Sequence, residues 1–106
     1  MSVTPEAHYE FEWNAQKAAS NLLKHGVTFE QAATVFLDAL ALTVYDEAHS
    51  QQQETRWFTL GLDQLGNLLA VAHTYQPSDN RHARIRLISA RRATKQERRF
   101  YEDEPR

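Results

Sequence analysis

The chain has no cysteine, and among its 106 residues only three glycines, three prolines and one methionine. Without cysteine neither a disulfide framework nor a thiolate metal site can form, and a reducing cytoplasm is the natural setting. Three scattered glycines cannot build a phosphate-cradling loop, and no serine sits in a nucleophile-elbow pattern. The five histidines, His8, His25, His49, His73 and His82, show no His-x-x-x-His spacing, so no metal and no cofactor is expected. No stretch approaches the ~20 apolar residues of a membrane span, and the start of the chain has neither a basic opening nor an apolar run. The expectation is a soluble, unprocessed, cytoplasmic protein with no membrane contact.

What is present is an asymmetry of charge. The net charge of −2 conceals a basic segment, because eight of the twelve Lys and Arg residues lie between Arg81 and Arg99 with the single acid Glu97. That segment carries +7, which leaves −9 for the rest. Such separation points to a polyanionic partner, although a run of charge is often no more than a solvated face. A chain of this length fits one domain over 1–106, with residues 1–8 as a loose arm and 104–106 as a tail.

The elements follow from periodicity and caps. Tyr9-Glu10-Phe11-Glu12-Trp13 alternates aromatic and acidic residues as a half-buried strand does. Asn14 caps a helix whose apolar stripe reads Ala15, Ala18, Ala19, Leu22 and Leu23, and Gly26 ends it. Thr28-Phe29-Glu30-Gln31 is a capping box opening a second helix with Phe29, Ala32, Ala33, Phe36 and Leu37 on one face. Residues 40–46, 55–62 and 68–75 read as strands, the last two joined by a turn at 63–67 with Gly66 for a positive φ. Gln51-Gln52-Gln53 is a loop, and residues 76–82 form a longer turn. In Arg84-Ile85-Arg86-Leu87 the strand period puts Ile85 and Leu87 toward the core and the two arginines on the other face. Thr94-Lys95-Gln96-Glu97 is another capping box, with a helix to about Asp103. The fold expected is α+β: an N-terminal strand and a two-helix hairpin packed on a four-stranded antiparallel sheet, plus a C-terminal helix, with the helices on one sheet face and the other partly open.

Phe11-Glu12-Trp13-Asn14, Lys17, Asn21, Lys24-His25-Gly26-Val27-Thr28-Phe29, Phe36-Leu37-Asp38 and Arg84-Ile85-Arg86-Leu87-Ile88-Ser89-Ala90-Arg91 with Glu97-Arg98 resemble the BrnT family of toxins, from about Phe11 to Glu102. Many relatives carry Asp where this chain has Asn14, which caps a helix equally well. The resemblance implies a RelE-like fold and a ribonuclease of a type II toxin–antitoxin system that cleaves RNA and arrests translation. It also implies a BrnA-like antitoxin with a ribbon-helix-helix region, through which alone operator DNA is reached.

Cleaving RNA without a metal needs positive charge at the phosphate and groups that move two protons. Guanidinium stays charged and forks onto two phosphate oxygens, so Arg84 and Arg86 are the central candidates, joined by Arg56 if it shares their sheet face. His49, Glu54 and His73 are candidates for proton transfer. Each has a plainer reading: a loop histidine, a partner of Arg56, and a satisfied core or edge histidine. His25 reads as a structural cap, and Tyr75 and Tyr101 as packing or base-stacking residues. Arg81, Arg91, Arg92 and Lys95 are expected to bind RNA along the backbone. The alternatives are a non-catalytic RNA- or ribosome-binding module, part of a DNA-binding repressor complex, or a scaffold whose basic stretch receives an acidic chain. A ring of arginines without any single general base is also compatible with the residues.

Overall fold

A computed structural model describes residues 8–50 and 54–105. Of the expected arm at 1–8, residues 1–7 lie outside the described residues, as do the Gln51–Gln53 loop and the last tail residue, whereas His8 already belongs to a strand. The strands are β1 (His8–Glu12), β2 (Leu42–Tyr45), β3 (Arg56–Leu62), β4 (Leu68–Thr74), β5 (Gln76–Pro77) and β6 (His82–Arg92). The helices are α1 (Ala15–His25), α2 (Phe29–Ala33) and α3 (Lys95–Asp103), and short 3₁₀ turns cover Thr34–Leu37 and Glu47–His49.

The caps act where local chemistry places them. The Asn14 side chain accepts the Gln16 and Lys17 N–H groups, and Gly26 ends α1 in the left-handed region at φ 69°. Both capping boxes form, at Thr28 with Gln31 and at Thr94 with Glu97. The second helix is shorter than its apolar spacing suggests, since it tightens to a 3₁₀ turn after Ala33.

The sheet runs β1-β6-β4-β3-β2, with β5 added to β6. It differs from the expected four antiparallel strands: β1 belongs to it and pairs parallel with β6, Phe11 beside Ile85 and Glu12 beside Arg86. A parallel pair needs a long crossover, here everything from α1 to β5, so no turn residue announces it. α1 and α2 cover one face, where Val27, Phe29, Ala32, Val35, Leu69, Val71, Ile85, Leu87 and Ala90 form the main core. α3 packs on the other face, where Tyr101 joins Leu60, Leu68 and Ala70. Those three share a strand parity opposite to the main core, so one end of that face is apolar and needs a cover. The other end of the same face stays open.

α1 does not bury its apparent stripe. Leu23 is 90% exposed and Leu22 is also exposed, whereas Asn21 is buried. Beyond Glu12, β1 no longer pairs with β6, and the Asn21 amide takes the vacated edge. Its Oδ1 accepts the Ala90 N–H at 3.0 Å, while its Nδ2 donates to the Ala90 and Val27 carbonyls at 2.8 and 3.0 Å. Asn21→Leu leaves these three buried backbone groups unsatisfied, and at ~1–3 kcal/mol for each such group the loss is expected to be at least about 3 kcal/mol. Urea unfolding of the two proteins measures it; a change below ~1 kcal/mol would mean that water replaces the amide at no cost.

Candidate active site

The open end of the sheet gathers the predicted arginines. β6 carries Arg84 and Arg86 on the face opposite Ile85 and Leu87, which are both 1% exposed. Arg56 at the start of β3 stands beside Thr74 on that same face. Glu54, just before β3, joins two of them: one carboxylate oxygen accepts the Arg56 Nε–H at 3.0 Å and the other accepts from an Arg86 terminal nitrogen. Hydrogen bonds from Arg56, then Arg86, outweigh its desolvation and hold the Glu54 carboxyl below the usual glutamate range. Arg84 makes no ion pair among the described residues.

Between these groups lies a cleft of about 400 Å³. Arg84, Arg86, Glu12 and Glu54 supply its charge, and Thr55, Thr74, Tyr75 and Gln76 its remaining lining. Glu12 was not anticipated, yet the alternation that turns Phe11 inward also turns Glu12 to the arginine face. A groove of about 440 Å³ beside α1, with Lys17 and Lys24, is larger but holds no guanidinium. Among the described residues no group of three or more His, Cys, Asp or Glu could hold a metal ion.

Other candidates lie elsewhere. His73 is 1% exposed and has the parity of Val71 and Leu69, on the helix-covered face. Burial lowers its pKa, only partly countered by its bond to the Thr74 carbonyl. Because the fold keeps it neutral while the unfolded chain protonates near pH 6.5, stability is expected to fall as pH drops below about 6.5, and to go on falling until the lowered folded value is reached. Urea midpoints across pH 7.5 to 5 should show that slope flattening in His73→Gln; equal slopes would assign the loss to other groups.

His49 stands on the turn after β2, its Nδ1 against the Asp46 carboxylate at 3.0 Å, and does not line the cleft. Arg81 is exposed just before β6, near the cleft end of the strand. Arg91 is tied to the start of α3, its guanidinium forked onto Glu97 at 2.8 and 3.0 Å. Arg92 donates to the Asn67 side chain at 2.9 Å, and Lys95 begins α3. Arg92 stands eight positions along the strand from Arg84, roughly 26 Å. The basic segment is therefore spread along β6 instead of gathered, and Arg91 serves the fold.

The fold and site define a class: an α+β domain with a cleft at the open end of its sheet, lined by Arg84 and Arg86 together with Glu12 and Glu54. Comparison with known proteins narrows this class. The chain belongs to the BrnT family, described as "Ribonuclease toxin, BrnT, of type II toxin-antitoxin system", whose model matches residues 13–97. Its structure is similar to the 1.1 Å crystal structure of the Brucella abortus ribonuclease toxin BrnT, with a TM-score of 0.56 and 21% identity over 80% of this chain and 96% of that one. None of the curated proteins matches the chain. The family reading made from the residues holds, and membership of a type II system implies an RNA substrate and an antitoxin partner.

Proposed function

We propose that this chain is a metal-independent endoribonuclease that cleaves RNA in the arginine cleft, arrests translation in the cytoplasm and is silenced by a BrnA-like ribbon-helix-helix antitoxin. Operator DNA is then reached only through the antitoxin, and the layout of sheet and helices is read as RelE-like. The observation that carries the reading is Arg84 and Arg86 side by side on one open strand face, next to a cleft and in a ribonuclease family.

An RNA strand in the cleft presents its phosphodiester to these two guanidinium groups. The 2′-oxygen bonds to phosphorus while the bond to the 5′-oxygen breaks, leaving a 2′,3′-cyclic phosphate and a 5′-hydroxyl end. Negative charge grows on the non-bridging oxygens, where charge-assisted forked hydrogen bonds act most strongly. Glu54 holds Arg56 and Arg86 in position, because both of its oxygens are engaged and its carboxyl stays ionised. Glu12 makes no ion pair among the described residues and takes the proton from the 2′-hydroxyl; bulk water returns one to the 5′-oxygen. An acidic antitoxin segment that covers the arginines uses the same charge to inhibit.

The test is cleavage of total RNA by the purified, antitoxin-free protein in EDTA, together with growth after induced expression. Cyclic-phosphate ends and growth arrest are expected. Intact RNA, with only salt-dependent binding, would move the reading to a non-catalytic RNA- or ribosome-binding module.

A further inference from the structure

Behind the cleft, on the helix-covered face, a second cavity of about 380 Å³ is walled by the rings of Tyr9, Phe36, Trp57 and Tyr75. Tyr75 lines the arginine cleft as well, so one side chain divides the two spaces. The rings meet at angles and do not fill the space: Phe36 is edge-on to His73 with centroids 4.9 Å apart, and Tyr9 is edge-on to Phe36 at 6.2 Å. Tyr9 and Tyr75 remain exposed.

The polar side of this cavity has a defined direction. The Thr74 carbonyl can only accept, so His73 carries its proton on Nδ1, which donates to that carbonyl at 2.8 Å. Nε2 of His73 is then an acceptor and takes the hydroxyl proton of Thr59 at 2.7 Å. The Thr59 oxygen in turn receives the Thr43 hydroxyl at 2.8 Å. Thr43, exposed on the cavity, is left with a free acceptor and no free proton.

We infer that this cavity is a nucleobase subsite for single-stranded RNA, stacking a base beside Tyr75 and Trp57 and taking one of its N–H groups on the Thr43 oxygen. The inference rests on the ribonuclease reading, since the phosphate next to that base lies in the arginine cleft. Flat aromatic walls suit any base, and the Thr43 oxygen accepts a hydrogen bond from an exocyclic amine or a ring imide N–H, at least one of which every base carries. An apolar side chain from a protein partner would fill the space but leave the Thr43 acceptor unpaired.

Short oligodeoxynucleotides lack the attacking 2′-hydroxyl and so report binding alone, by fluorescence anisotropy at low salt. The adenylate, cytidylate and deoxyuridylate strands are all expected to bind more tightly than an abasic strand of equal length. Tyr75→Ala should weaken adenylate binding by roughly 5- to 150-fold, the range for one lost base–aromatic stack, and weaken the abasic strand by much less, so that the advantage of adenylate over abasic shrinks. Thr43→Val should weaken the strands that carry bases and leave the abasic strand unchanged. Both side chains are exposed, and circular dichroism confirms that the variants fold. Equal binding of abasic and adenylate strands overturns the subsite while the phosphate cleft stands. Variants that bind every strand normally but lose the antitoxin would assign the cavity to a protein side chain and overturn it too. If the folded protein binds no strand at all, the ribonuclease reading fails first and the subsite with it.

Discussion

Arg86→Ala is expected to slow RNA cleavage by a hundred- to a thousandfold, the usual cost of deleting one donor aimed at transition-state charge, or roughly 3–4 kcal/mol. The fold should survive, because the Arg86 guanidinium points to the open face while its neighbours Ile85 and Leu87 hold β6 to the core. Arg86→Lys keeps the charge without the fork and should fall between the two. The loss should lie in kcat more than in KM, since the interaction strengthens as charge develops. Single-turnover cleavage of a defined RNA, with a thermal melt of each variant, measures this. If Arg86→Ala cleaves within a few-fold of the natural protein, the cleft is not where the chemistry occurs.

Glu12→Gln is expected to cost at least about a hundredfold in kcat, the lower range for a lost general base. It should also flatten the acid limb of the pH–rate profile, because an amide has no proton to gain. Glu54→Gln makes the contrast. It releases Arg56 and Arg86 from their shared partner, so the loss should be smaller and the acid limb should remain. The sign follows from the depressed Glu54 carboxyl: its pairs are intact above the ordinary glutamate value and break only as pH falls through the lower folded one. A Glu12→Gln enzyme with an unchanged acid limb would remove Glu12 from proton transfer.

Much of the fold was legible because it depends on near neighbours. Asn14, Gly26, Thr28 and Thr94 cap helices through bonds to residues two to four positions away. The alternation at Arg84 to Leu87 told which side chains point out. What misled was the α1 stripe: Leu22 and Leu23 have the spacing of a core face, yet Asn21 is the buried residue. Its partner Ala90 lies 69 residues away, beyond the reach of any helical period.

The site divided in the same way. Arg84, Arg86 and Arg56 meet on one face as strand parity suggested, whereas Glu12 reached the cleft only through the parallel pairing of β1 with β6. Arg91 left the basic surface for Glu97, and His73 went to the buried face. The chain order of residues alone determined the helix starts, the strand faces and the family, since these need only period, cap chemistry and motif. Tertiary structure alone decided which distant strands lie side by side, which arginines face the cleft and where a cavity opens, because those depend on contacts between segments that no local spacing encodes.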